Sequence, residues 1–293
     1  MTEARRGHLA MLCFSAMVAG SFSLGVMVAN DIAPAALQAA RFALAALLTG
    51  TLALALGKVR RAHFAAPWRY VLLAAFFGTY FVLMFEGFKT AAPVSSAAVF
   101  TLTPVMAAGF GYLLMSQVLT PRTALGLSIG AAGALWVIFQ GSWQALTRFE
   151  VGRGEMIYFV GCVSHAVYTP LLARLVRGEP PLVFTTGILI AGAVLIGAYG
   201  WQDILATDWT ALPGMVWGTL GYLVVVATAL SFMALQYASV RLPAAKVMAY
   251  TYLTPSWVLL WELALGHGAP AGVVLIGVGL TVLALIVLLK PDD

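Results

Sequence analysis

The sequence predicts an all-α integral membrane protein with ten transmembrane helices, arranged as a 5+5 inverted-topology repeat with both termini cytoplasmic. Three observations predict it. Apolar residues make up 62% of the 293 and charged residues only 9%, with a mean hydropathy of +0.95. A soluble domain carries about a quarter charged residues, so lipid must be the solvent here. The chain also divides into ten apolar stretches of helix length. Finally, Leu102-Thr103-Pro104 returns as Leu253-Thr254-Pro255, each time deep inside such a stretch. Proline breaks the backbone hydrogen-bond ladder, and lipid supplies no water to repair it. Two such breaks at matching places suggest one site built from two related pieces.

A spanning helix needs about 20 mostly apolar residues. The stretches that meet this are 7–29, 34–56, 67–90, 92–116, 120–140, 154–177, 181–200, 212–238, 243–265 and 269–289. The first follows Arg5 and Arg6 and exceeds a signal-peptide apolar core, so it is read as a retained helix. Pro34, Pro93, Pro121, Pro181, Pro213, Pro243 and Pro270 stand at or near later starts, where a missing N–H costs little. The longest connections, 57–66, 141–153 and 201–211, leave no room for a soluble domain. Cys13 and Cys162 both fall inside apolar stretches, so no disulfide framework is implied.

Charge sets the orientation. With the N-terminus inside, the inner segments hold Arg5, Arg6, Lys58, Arg60, Arg61, Arg69, Arg122, Arg174, Arg177, Arg241, Lys246 and Lys290. The outer ones hold only Lys89, Arg148 and Arg153, together with Asp31, Glu150, Glu155, Asp203 and Asp208. This basic bias places both ends in the cytoplasm. It also accounts for the net charge of +5 without a nucleic-acid partner. Trp68, Trp143, Trp201 and Trp209 fall near helix ends as interfacial anchors.

The halves match. Pro104 and Pro255 differ by 151 residues, and at that offset Phe81 meets Phe232 and Thr103 meets Thr254. Gly7 and Pro34 match Gly154 and Pro181 at 147, and Gly126 and Gly133 match Gly272 and Gly279 at 146. The repeats are placed at 1–148 and 149–293. Five spans per copy force opposite orientations, an architecture that favours alternating access around a midplane site.

The pattern resembles the drug/metabolite transporter superfamily in its ten-helix EamA-type branch, over nearly the whole chain. The most specific pieces are Ala98–Ala108 (AVFTLTPVMAA), Met248–Leu259 (MAYTYLTPSWVL) and the glycine runs 126–133 and 272–279. Length and loop pattern resemble the YddG-type amino-acid exporters. The resemblance implies efflux of amino acids or related metabolites across the bacterial inner membrane. It also marks departures. Gly266 is followed by His267 rather than glutamate, and Thr103 and His165 stand where the aromatic-amino-acid members carry tryptophan. Tyr80 keeps the family's tyrosine. The substitutions imply lower selectivity for aromatic substrates.

Candidate substrate-binding residues are Tyr80, Ser96, Phe100, Thr103, His165, Ser231, Tyr250 and Thr254. Ser96, Phe100 and Thr103 share one face of the fourth helix at i, i+4 and i+7, and Val247, Tyr250, Thr251 and Thr254 form the related face of the ninth. Hydroxyls and rings suit a small zwitterion. The bland alternative is that these hydroxyls bond their own helix backbone. His165, with Ser164, Tyr168 and Thr169 nearby, is an ionisable group at mid-depth and a functional hypothesis by default. Its alternative is a neutral histidine bonded to a neighbouring helix. Tyr80 pairs with Ser231 under the repeat, with Gln236 further along the same helix. Tyr80 equally fits a packing role with a satisfied hydroxyl.

Arg41, two turns into the second helix beyond Gln38, is read as snorkelling outward near Asp31 or as a structural pair. Neutralising a substrate carboxylate is the alternative. Glu86 and Lys89 should pair at i, i+3. Glu86 and Glu262 are the candidates for proton coupling, though neither is near the midplane. Gly126, Gly130 and Gly133, with the glycines of the tenth helix, serve packing or a dimer face.

Rival functions find little support. No Walker A loop, H-E-x-x-H or G-x-S-x-G is present, and His8, His63, His165 and His267 are scattered. The chain is therefore read as a non-enzyme that needs no cofactor or metal. It is expected to be a monomer in the lipid bilayer, with a small-molecule substrate. The expected function is secondary export of amino acids or similar metabolites. Export of drugs or other small organic molecules, or an ion or solute channel without a fixed filter motif, is the alternative.

Overall fold

The computed structural model describes residues 2–239, 241–242, 244–268 and 270–289. Helices and their connections account for all of them, with no strand among the described residues. In chain order the helices are α1 (Glu3–Val28), α2 (Pro34–Ala55), α3 (Trp68–Phe88), α4 (Pro93–Phe100), α5 (Thr103–Met115), α6 (Pro121–Ile138), α7 (Trp143–Arg148) and α8 (Arg153–Leu175). They continue with α9 (Pro181–Tyr199), α10 (Trp201–Ala206), α11 (Gly214–Val224), α12 (Ser231–Ser239), α13 (Ala244–Ala249), α14 (Thr254–Ala264) and α15 (Gly272–Leu289). Among the described residues nine segments are long and apolar enough to cross a membrane, counting Pro93–Met115 as one and Gly214–Leu235 as another. The chain is a multi-pass membrane protein.

The stretch 243–265 is the exception. It is not one helix but three short pieces: α13, a 3₁₀ turn at Tyr250–Leu253, and α14. The break has a local cause, because Pro255 lacks an N–H and takes the start of α14, where none is needed. Pro104 acts in the same way at the start of α5, leaving a turn at Thr101–Leu102 between α4 and α5. Pro34, Pro93, Pro121 and Pro181 also occupy first turns. Pro243 lies outside the described residues. Two features carry no sequence signal used above: Pro170 inside α8, and a π-helical segment, Val225–Leu230, joining α11 to α12.

Long-range packing joins the two halves throughout. α15 packs on α6, α9 on α2, α8 on α3, and α1 against α11, α12 and α14. α4 meets α14, α6 and α8. Helices in lipid gain little from apolar burial and associate through close van der Waals contact instead. Gly133 and Gly277 show this directly. A Cβ on either would sit 2.6 Å from the other's carbonyl oxygen, so only glycine permits the crossing of α6 and α15. Within the two glycine runs it is Gly133 and Gly277 that oppose each other, while Gly272 and Gly279 face open space. Gly126 and Gly130 pack on Leu288 and Tyr252. All these contacts lie within the chain.

Basic residues are not all topology signals. Arg69, at the start of α3, is buried and donates to the Glu179 carboxylate and the Leu175 carbonyl, each at 2.6 Å. The Arg177 backbone N–H donates to the other Glu179 oxygen at 2.7 Å. The anticipated Glu86–Lys89 pair is present at 2.7 Å on a half-exposed surface.

Candidate functional site

Phe77, Tyr80, Phe81 and Met84 follow i, i+3, i+4 and i+7 spacing, so they share one face of α3. That face forms a wall of a central cavity of about 220 Å³. Pockets for drug-sized ligands run to about 300–1,000 Å³, so this space suits a smaller solute. The opposite wall comes from Ala227, Thr228, Ser231, Phe232 and Leu235 on the π-helical segment and α12. Arg41 and Phe42 enter from α2, Val18 and Ser21 from α1, and His165, Tyr168 and Thr169 from α8. The described lining contains no aspartate or glutamate.

Aromatic rings touch along much of this surface. The His165 ring lies 4.6 Å from that of Tyr80, centroid to centroid, and Phe77 stacks on Tyr168 at 4.7 Å. Phe77 and Phe81 meet edge to face at 4.8 Å. The Tyr80 hydroxyl is 3.1 Å from the Tyr158 hydroxyl. His165 Nδ1 is buried and has no hydrogen-bond partner among the described residues.

The expected site residues divide evenly. Tyr80, Phe100, His165 and Ser231 line the cavity, whereas Ser96, Thr103, Tyr250 and Thr254 do not. Ser96 and Thr103 are buried, and Thr103 lies beside Cys162 of α8. Tyr250 turns away, its hydroxyl 2.9 Å from His8 Nδ1, because the 3₁₀ turn changes the helical phase. Thr254 is buried at the start of α14. From the ninth stretch, Val247, Met248 and Thr251 reach the cavity instead. Several hydroxyls do bond their own helices: Ser231 donates to the Ala227 carbonyl at 2.9 Å and Thr251 to that of Met248 at 2.8 Å. The Gln236 side chain lies outside the described residues.

Arg41 corrects an expectation. It does not snorkel toward Asp31 but is buried, 3% exposed, and lines the cavity. Its Nε and Nη2 donate to Thr228 Oγ1 at 3.2 and 3.1 Å, and Nη1 donates to Gln38 Oε1 at 3.4 Å. The guanidinium carbon stands 4.0 Å from the centre of the Phe81 ring. No acid forms an ion pair with it among the described residues. The coupling candidates are elsewhere. Glu86 pairs with Lys89, Glu262 Oε2 is 3.0 Å from His267 Nδ1, and neither acid lines the cavity.

The lining residues pair at the two sequence offsets. At 147, Val18 corresponds to His165, Ser21 to Tyr168, Arg41 to Ile188 and Phe42 to Leu189, and every one of these lines the cavity. At 151 the same holds for Phe77 with Thr228, Tyr80 with Ser231, Phe81 with Phe232, Met84 with Leu235 and Phe100 with Thr251. Phe77, Phe81 and Thr228 were absent from the expected set. The offset applied to Tyr80 and its helix face would have found them.

Other lining residues have counterparts that are buried away from it. Met11, Thr169, Thr185, Val247 and Met248 line the cavity, and their offset counterparts are Tyr158, Phe22, Gln38, Ser96 and Ala97. All five counterparts are fully buried. Phe22 is central to a packed cluster of rings, with centroids 5.7 Å from Phe88, 5.8 Å from Phe100 and 6.2 Å from Tyr158. The equivalents of these lining residues are thus packed into the bundle rather than lining the cavity.

Known proteins agree with this architecture. The profile of the EamA-like transporter family matches residues 5–139 and again 152–290. The uncharacterized transporter YyaM of Bacillus subtilis (strain 168) is 24% identical over 262 residues, covering 88% of this chain and 86% of YyaM. A protein of known crystal structure superposes with a TM-score of 0.69 at 21% identity, over 97% of this chain and 95% of that one. The two family matches together span most of the sequence, and the chain belongs to the EamA-like transporter family of the drug/metabolite transporter superfamily.

Proposed function

We propose that the protein is a secondary transporter that exports amino acids or related small metabolites across the bacterial inner membrane by alternating access. Its ten spans form two five-helix repeats of opposite orientation, 1–148 and 149–293, with both termini in the cytoplasm and the chain acting as a monomer. Tyr80, Phe100, His165 and Ser231 contact the substrate, with Arg41, Phe77 and Thr228 added to them. Ser96, Thr103, Tyr250 and Thr254 stand outside the cavity in this state, and Ser96, the equivalent of the lining Val247, belongs to the site in the opposite one.

The observation that carries this reading is the pairing of lining residues. A midplane site between inverted repeats should be lined by equivalent positions from both copies, as with Tyr80 and Ser231 or Phe81 and Phe232. A carrier caught open to one side should seal the other with the equivalents of its open-side residues. Phe22 against Thr169 and Ser96 against Val247 fit that rule. With the N-terminus inside, the open side is cytoplasmic, the side from which an exporter loads. Helix neighbours support the same two-fold, because exchanging the halves maps α3 on α8 into α11–α12 on α1 and leaves α2 on α9 unchanged.

The test is uptake into proteoliposomes with a broad panel of radiolabelled amino acids, comparing wild type with Tyr80→Ala and His165→Ala. Substrate-dependent flux that both variants reduce is the expected result. An absence of flux across the panel would remove the amino-acid reading. An imposed pH gradient then tests coupling, since indifference to it excludes proton antiport.

A further inference from the structure

We infer that Arg41 is the subsite for a substrate carboxylate, and that the cavity selects carboxylate-bearing molecules with an apolar or aromatic body, for which an amino group is dispensable. This rests on the reading of the cavity as a transport site and names the chemistry that the site requires.

The first ground is uncompensated charge. A buried guanidinium within a spanning helix is costly, and such groups ordinarily pair with acids or mark a substrate path. Among the described residues Arg41 meets only neutral groups: the Thr228 hydroxyl, the Gln38 amide oxygen and the Phe81 ring face. These hold it in place without neutralising it. Gln38 is itself fully buried with no partner for its amide nitrogen among the described residues.

The second ground is donor geometry. Thr228 and Gln38 take three of the five guanidinium N–H groups. One N–H on each terminal nitrogen is left without a partner among the described residues and is available to a carboxylate. Thr228 is held for this by its own bond, its hydroxyl donating 2.7 Å to the Leu223 carbonyl across the π-helical segment. Segments of this type recur at functional sites.

The third ground is asymmetry. The repeat-equivalent of Arg41 is Ile188, which lines the same cavity. The architecture thus accepts an aliphatic side chain at this position, and the charge belongs to one wall only. From there a continuous ring surface leads away, through Phe81 to Tyr80 at 4.7 Å and on to His165. The described lining offers no carboxylate to an ammonium group. Only the acid end of a substrate meets an opposite charge.

The experiment measures binding to the purified full-length protein with radiolabelled 3-phenylpropanoate, competed by phenylalanine, phenylalanine methyl ester and phenethylamine. The two carboxylates should compete with each other, whereas the ester and the amine should be weaker by about thirtyfold or more, the scale seen when a buried charge pair loses one partner. Arg41→Gln should abolish the discrimination, Arg41→Lys should retain part of it, and Thr228→Val should weaken carboxylate binding alone. Equal competition by amine and acid, or no carboxylate binding by folded wild type, overturns the inference. Proteoliposome flux separates this from the broader reading. Amino acids and amines moving alike would sink the carboxylate subsite but leave a metabolite carrier. Phenylpropanoate moving while amino acids do not would keep the carboxylate subsite and remove the amino-acid reading.

Discussion

The guanidinium of Arg69 and the carboxylate of Glu179 meet at 2.6 Å, with both side chains almost wholly buried. This ion pair ties the start of α3 to the connection between α8 and α9. Arg69 also holds the Leu175 carbonyl near the end of α8. Breaking one partner leaves a buried charge unmatched, which costs about 3–5 kcal/mol. Glu179→Ala and Arg69→Met should each lower the melting temperature in detergent clearly, and the paired replacement by apolar residues should recover most of the loss. A single variant that melts like wild type would contradict the role.

The same pair gives a pH dependence with a definite sign. Burial by itself raises the Glu179 carboxyl, but bonds from the Arg69 side chain and the Arg177 backbone outweigh it and hold the carboxyl below its ordinary value. A lowered folded value means that the ion pair stabilises the protein fully above the unfolded carboxyl, at about 4.3. That stability is lost as pH falls through the lower folded value. Thermal melts of wild type and Glu179→Gln should therefore converge toward acid pH and separate above about pH 5. A constant gap across that range is the opposing result.

The crossing of α6 and α15 depends on two glycines. Gly133→Ala or Gly277→Ala drives a methyl toward backbone oxygen at 2.6 Å, and should cost about 1–3 kcal/mol through forced separation of the helices. Gly279→Ala meets nothing within 4 Å and should be neutral or slightly stabilising. Melting curves of the three variants decide this. If Gly279→Ala were the damaging one, the close approach would lie elsewhere.

Accessibility tests the sealed end. With Cys13 replaced by Ser, Thr169→Cys should react with an impermeant thiol reagent from the cytoplasmic side. Its counterpart Phe22→Cys, fully buried as phenylalanine, should be protected from both sides in this state. A substrate that drives the opposite conformation should reverse the pattern. Labelling of Phe22→Cys from the cytoplasm would count against alternating access around this cavity.

Much of this was legible in the residues themselves. Composition alone dictated a multi-pass membrane protein, because so few charges leave apolar surface that water cannot cover. Pro104 and Pro255 marked the two places where a helix stops and restarts, since a missing N–H acts through local geometry. The offsets between the halves matched lining residues on both walls, because duplicated chains keep equivalent positions. Tyr80 and His165, which line the cavity, stood out by depth and residue type, properties that a sequence carries.

Other features required the tertiary structure. Whether Arg41 points to the membrane surface or to the cavity depends on Thr228, which is 187 residues away and is positioned by a π-helical segment that no spacing rule announces. Tyr250 and Thr251 are neighbours, yet a 3₁₀ turn sends one to His8 and the other to the cavity. Gly277 rather than Gly279 meets Gly133, because only the packed crossing of two helices selects which glycine is needed. The sequence by itself determined which solvent surrounds the chain, where its helices break and that its two halves correspond. The tertiary structure decided which side chains converge and which charge has no counter-ion among the described residues, because both depend on contacts between residues far apart in the chain.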